Sequence, residues 1–171
     1  MSMEEHLYFI SDRDFRSWLE RLSSDRDVLV PRQINGDWRY ALYDPDEEEI
    51  DVLSGYRAVE SLKNFFFPPR QKVAVFPGTP EERPEKKRVI IGPKACDLGS
   101  LPILDYIFRE GDFIDPFYLK ARENTLLVSQ DCPEFKEVCF CPIVGGQPYP
   151  LSGFDLNLSP LQDGFLVEAG S

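Results

Sequence analysis

All four cysteines of this 171-residue chain fall at two places. Cys132, Cys139 and Cys141 lie in the run C-P-E-F-K-E-V-C-F-C, and Cys96 lies in I-I-G-P-K-A-C-D-L. The spacing, C-x35-C-x6-C-x-C, is neither the C-x2-C-x2-C-x3-C run of bacterial ferredoxins nor the paired C-x2-C knuckles of zinc ribbons. Four thiolates are still the number that a tetrahedral zinc ion or a cubane iron–sulfur cluster requires. By themselves the residues leave three readings open: a metal centre, a redox-active thiol pair, or four thiols without metal.

Local features favour the metal. Cys96 is placed at a helix start, where free amides and the dipole are expected to stabilise a thiolate. Pro133 and Pro142 follow two of the cysteines and are expected to hold the chain extended. In an extended segment, side chains at i and i+2 share a face. C-F-C would then present Cys139 and Cys141 to one centre and turn Phe140 away. Gly145 and Gly146 permit close backbone approach. Lys94 is the cation placed to offset an anionic centre, and a four-cysteine cluster needs its sulfurs about 6 to 7 Å apart. His6, the single histidine, stands apart in the N-terminal segment and is not counted among the ligands. The chain has no nucleophile–base pair, no G-x-x-x-x-G-K and no G-x-G-x-x-G after a strand, so no complete reaction is assigned to it.

Composition narrows the setting. Thirty acidic residues against 19 basic ones give a net charge of −11, which disfavours binding to nucleic-acid phosphates. Such a charge keeps a protein soluble, and it would also steer an electron-transfer protein to a basic partner face. No apolar run is long enough for a transmembrane helix. M-S-M-E-E-H is acidic where a signal peptide would be basic. The expected location is the cytoplasm, where clustered cysteines point to metal or redox chemistry before disulfides. With 42% hydrophobic residues, residues 1–171 are expected to form a single domain with its own core.

The elements that would position the cysteines follow in order. Ser11 to Leu22 reads as a helix capped by Ser11 or Asp12, with Phe15, Trp18, Leu19 and Leu22 on one face. Val28–Val30 and Trp38–Tyr43 read as strands joined through Asn35-Gly36. The acidic run from Asp46 to Glu49 reads as a solvated turn. In F-F-F-P-P, a helix end gives way to a proline-fixed corner and a strand over 72–76, and the rings are expected to pack. A loop follows over 77–87. Arg88–Ile91 reads as a strand, Asp97–Arg109 as a helix with Asp105 intruding on its apolar face, Asp115–Arg122 as a second helix, and Thr125–Ser129 as a strand. That is a βαβ unit, with two parallel strands whose carboxyl ends precede Cys96 and Cys132. Phe154–Leu158 and Phe165–Glu168 form a last hairpin. The fold class is α/β: one central mixed sheet containing the βαβ unit, plus the N-terminal helix and hairpin.

Along the chain occur, in order, F-F-F-P-P-R-Q, V-I-I-G-P-K-A-C-D-L, L-D-Y-I-F, D-P-F-Y, R-E-N-T-L-L-V, the C-F-C run, G-F-D-L-N-L and G-F-L-V-E-A-G-S. From about Phe65 to Ser171 this series resembles the beta subunits of cytosolic nickel–iron sulfhydrogenases and the A subunit of anaerobic sulfite reductase. The resemblance implies an iron–sulfur electron-transfer subunit, with a [4Fe–4S] cluster on Cys96, Cys132, Cys139 and Cys141. Such a subunit relays electrons between a flavoprotein or ferredoxin and a hydrogenase-type catalytic subunit, and carries no catalytic residue itself. Members of that family usually continue into a ferredoxin-like part with two further clusters, which is expected to be absent here. Where they have G-V-R-P-C or similar, this chain has G-P-K-A-C, and Lys94 keeps the charge without arginine's fork. Phe65–Pro69 and Pro142–Pro150 are the expected subunit contacts. The alternative of a different class is a zinc-binding or metal-free assembly subunit, which a reducible chromophore would distinguish.

Overall fold

The computed structural model describes residues 7–46, 57–70, 76–78 and 87–170. His6, residues 47–49 of the acidic run, 72–75 of the expected strand, 79–86 of the expected loop and Ser171 lie outside the described residues.

One seven-stranded mixed sheet organises the chain. Its strands are β1 (Leu7–Ser11), β2 (Arg26–Ile34), β3 (Asp37–Leu42), β4 (Lys87–Ile91), β5 (Thr125–Gln130), β6 (Leu156–Leu161) and β7 (Gly164–Ala169), in the order β1-β7-β6-β5-β4-β2-β3. The central four, β2, β4, β5 and β6, run parallel. β7, β1 and β3 add antiparallel. The expected parallel pair is present, with Arg88 opposite Thr125 and Ile91 opposite Val128. Between β2 and β3, Asn35 and Gly36 take φ of 53° and 89°, the two positive angles that match a hairpin's twist. β1, at the sheet edge, was not among the strands expected from the sequence.

Alternation along the central strands feeds two cores. Val89, Ile91, Val128 and Leu158 pack with Phe15 and Leu19 of α1 (Asp12–Ser23). Ser11 caps α1 by accepting the Asp14 amide at 3.2 Å. Ile90 and Leu127 face the other way, onto Leu62, Phe66, Leu101 and Tyr118. This second layer is built by α2 (Lys63–Phe66), α3 (Ala95–Leu98), α4 (Leu101–Phe108) and α5 (Pro116–Glu123).

The helix expected over 97–109 is therefore two helices, broken at Gly99-Ser100. Pro102 falls in the first turn of α4, where its missing amide costs no helical bond. The three rings of F-F-F-P-P pack inside the chain. Phe66 is buried, Phe65 meets Tyr40 edge-on at 5.3 Å, and Phe67 stacks on Phe108 at 4.7 Å. Phe65, Phe67 and Pro68 are half-buried, and Pro69 at the end of the segment is exposed.

Asp105, the intruder on an apolar face, has three donors. The Tyr118 hydroxyl donates to it at 2.7 Å, and Arg122 donates from Nε and Nη2 at 3.1 Å each. Burial pushes the Asp105 carboxyl up, but the hydrogen bonds from Arg122 and Tyr118 outweigh it and hold the pKa below its ordinary value. A depressed carboxyl contributes stability that is complete above the unfolded pKa of about 4 and is lost as pH falls through the folded one. Asp105→Asn is expected to remove this contribution, so its urea midpoint declines less steeply than wild type below about pH 4. Parallel declines in the two proteins would count against the assignment.

Candidate metal centre

The parallel register of β4 and β5 brings two cysteine segments to one edge of the sheet. β4 ends at Ile91, and Gly92 turns the chain at φ +86°, where an added side chain would meet the Pro31 ring at 3.0 Å. Pro93 accepts the Gln130 amide at 3.0 Å, and Lys94 and Cys96 follow at the start of α3. Cys132 stands two residues beyond the end of β5. Between β5 and β6 lie residues 131–155, whose only helical piece is a 3-10 turn at Cys141–Val144. A parallel crossover usually carries an α-helix. A long connection without one, inside a compact fold, is where function concentrates.

This loop is tied at its base. The Cys132 amide donates to Pro148 O at 2.7 Å and the Asp131 amide to Leu158 O at 3.0 Å. The Asp131 carboxylate accepts from Asn157 Nδ2 at 2.9 Å and from the Ser159 hydroxyl, and Ser129 donates to Asn157 Oδ1 at 2.8 Å. Within the loop, Gly146 lies against Cys141. A Cβ there would stand 3.3 Å from Cys141 Cβ, so the glycine allows the close approach expected of it.

All four cysteines line one cavity of about 250 Å³, together with Lys94, Phe135, Pro142 and Gly146. All four are free thiols, each half-buried. Cys141 is near enough to Cys96 to add to the rise of its pKa. Cys132 Sγ donates to Glu134 O at 3.2 Å, and the Lys136 amide donates to Cys139 Sγ at 3.3 Å. Among the described residues, no group of three or more His, Cys, Asp or Glu side chains is arranged to hold a metal ion. A cluster sits between its ligands, so its thiolates stand farther apart than those around one ion. A cavity of about 250 Å³ is far larger than the about 10–15 Å³ that admits one water, so it exceeds what a single ion needs. Soft thiol donors around an apolar space of that size fit such a cluster.

Several local expectations are corrected. C-F-C is not extended: Phe140 has φ −115° and ψ −1°, and the 3-10 turn begins at Cys141 with Pro142 inside it. Phe140 is not among the residues that line the cavity, in keeping with the expectation that it turns away, and Phe135 is. The helix start does not lower the Cys96 pKa. Burial first, and then Asp97, push this thiol up to about 11, with Arg57 pulling the other way. A helix of one turn has too few aligned peptides to offset burial. A metal would have to displace that proton on binding.

Lys94 is at the cavity, as expected, but only 3% exposed. Its Nζ donates to Gln130 Oε1 at 2.6 Å and to Asp131 O at 3.4 Å. Burial lowers its pKa to about 8, with Cys132 the foremost group opposing the shift. Arg57 was missed by sequence reasoning. It reaches Cys96 Sγ from 39 residues upstream, and no motif marks it.

No family model matches the chain. The sulfhydrogenase 2 subunit beta of Pyrococcus furiosus is 32% identical over 163 residues, which cover 92% of this chain and 46% of that relative. The chain thus spans less than half the length of the curated relative it matches. No solved structure matches.

Proposed function

We propose, on the premise that the chain is sulfhydrogenase beta subunit-like over 92% of its length, that it is an electron-transfer subunit or domain holding a [4Fe–4S] cluster on Cys96, Cys132, Cys139 and Cys141. The observation that carries this reading is that all four cysteines of the chain, from two distant segments, line one cavity. When bound, such a cluster takes up and gives back one electron at a time.

The residues of the chain supply the rest. The Asp131–Asn157–Ser159 bonds fix the end of β5 and with it the Cα of Cys132. Phe135, Pro142 and Pro148 line the same cavity as the thiols and give it an apolar wall. Lys94 places a cation beside Cys132. The loop that carries three of the ligands also exposes Val138, Ile143, Val144 and Leu151 to solvent. Apolar side chains beside a redox centre suit a docking face for the subunits that exchange electrons with it. We assign a flavoprotein or ferredoxin-like protein to one side of the exchange, and a hydrogenase-type catalytic subunit to the other. The cytoplasm is the assigned compartment, since thiolate clusters are kept in reducing surroundings.

Anaerobically purified protein, reconstituted with iron and sulfide, is expected to hold about four of each per chain. It should show a visible absorbance that dithionite bleaches and a low-temperature paramagnetic signal in the reduced form. A colourless chain with stoichiometric zinc would assign a structural role instead. A chain that takes up no metal would leave only docking.

A further inference from the structure

We propose that Arg57 is a positioning residue for this centre: its guanidinium donates to the Cys96 sulfur and raises the reduction potential of the cluster held there. The inference rests on the functional reading above and adds a residue outside the expected ligand set.

Arg57 Nη1 stands 3.9 Å from Cys96 Sγ, and Arg57 Nε stands 3.5 Å from Asp97 Oδ1. The Asp97 carboxylate is itself held, because Oδ2 accepts the Lys94 amide at 3.1 Å and the side chain is 7% exposed. The Arg57 side chain is one-third exposed, at the rim of the buried layer. Its backbone segment is fastened too. Ala58 and Leu62 are buried, and Val59 N donates to Trp38 O at 2.9 Å. Glu60 accepts the Tyr40 amide at 3.2 Å and Arg39 Nη1 at 3.1 Å. The guanidinium is therefore aimed from both ends, by its backbone and by Asp97.

The chemistry follows from charge. A four-thiolate cubane carries about −2 when oxidised and about −3 when reduced. A cation and an N–H donor at a ligand sulfur stabilise the more negative form more, which raises the potential. Lys94 acts elsewhere, with its ammonium committed to Gln130 and Asp131 near Cys132. Only a planar fork reaches Asp97 with one nitrogen and Cys96 with another, so lysine at position 57 keeps the charge but not the double contact.

The test uses the anaerobic, cluster-containing chain and a redox titration followed by its paramagnetic signal. In R57Q the reduced-to-oxidised ratio at the wild-type midpoint is expected to fall about tenfold, which is about 59 mV for one electron. R57K should recover part of that loss. A second measurement needs no substitution. Wild-type protein carrying 15N-arginine should show an electron–nuclear coupling to 15N at the reduced cluster. A change of less than threefold in R57Q overturns the proposal, and so does the absence of that coupling. The coupling decides alone if R57Q does not fold or does not retain its cluster. A wild-type chain that takes up no iron overturns both this inference and the functional reading. A cluster-containing wild type with an unchanged R57Q midpoint overturns this inference only.

Discussion

Replacing any one of Cys96, Cys132, Cys139 and Cys141 by serine is expected to abolish the reducible visible absorbance and cut bound iron at least tenfold, while the sheet stays folded. Groups that merely orient a ligand already cost about 10–100-fold in metal affinity when removed, so the loss of a ligand costs no less. Serine keeps the shape but offers a hard hydroxyl that does not ionise near neutral pH, in place of a soft thiolate. The folded chain asks little of the same sulfurs. They are half-buried, Cys132 and Cys139 bond within the loop, and Cys96 accepts one long bond from Arg57. The expected cost in apo-protein stability is within about 1 kcal/mol. Iron per chain and far-UV circular dichroism, measured on all four variants, separate the two effects. A variant that keeps its full iron takes that cysteine out of the ligand set. Cys139 is the most informative, because it lies on the bent segment whose geometry departs most from expectation.

The largest effect on stability is expected at Phe66. Its side chain is fully buried, lies edge-on to Tyr118 with ring centroids 6.2 Å apart, and carries the Arg122 guanidinium over its face at 5.1 Å. Phe66→Ala removes the ring and leaves a cavity between Leu62, Ile90 and Tyr118, at a cost of about 3–5 kcal/mol. For a chain of this size that lowers Tm by about 6–20 °C. It is also a large share of a total stability of about 5–15 kcal/mol. Phe66→Leu refills most of the space and should recover more than half. Urea midpoints of the two variants make the comparison. A loss below about 1 kcal/mol in the alanine variant would mean that the ring is not part of the core.

Elements whose signal is local were legible before the structure. The apolar face of α1, the Asn35-Gly36 turn and the parallel pairing of β4 with β5 each follow from spacing within a few dozen residues. β1 was not, because L-Y-F-I has no polar alternation and its partner β7 lies at the far end of the chain. The break at Gly99-Ser100 was hidden by an apolar pattern that runs unbroken from Leu98 to Leu104, although Pro102 marked the restart. At the site, residue type alone named the four thiols, since the chain has no others. Their arrangement was not legible. It depends on a loop that bends at Phe140, and on Arg57, whose approach to Cys96 is a product of packing across the sheet edge.

The closure of the 131–155 loop has a further consequence. Under the proposed ligation, Cys132, Cys139 and Cys141 would form a tridentate chelating arm, closed where the Cys132 amide meets the Pro148 carbonyl, while Cys96 is anchored beyond β4. A thiolate that lets go of its iron stays tethered beside it, at an effective concentration on the order of millimolar. Rebinding then outruns escape, and no single bond to iron governs how long the metal is retained. The bond between Cys132 and Pro148, which closes the loop at its base, would then contribute to retention without touching the metal.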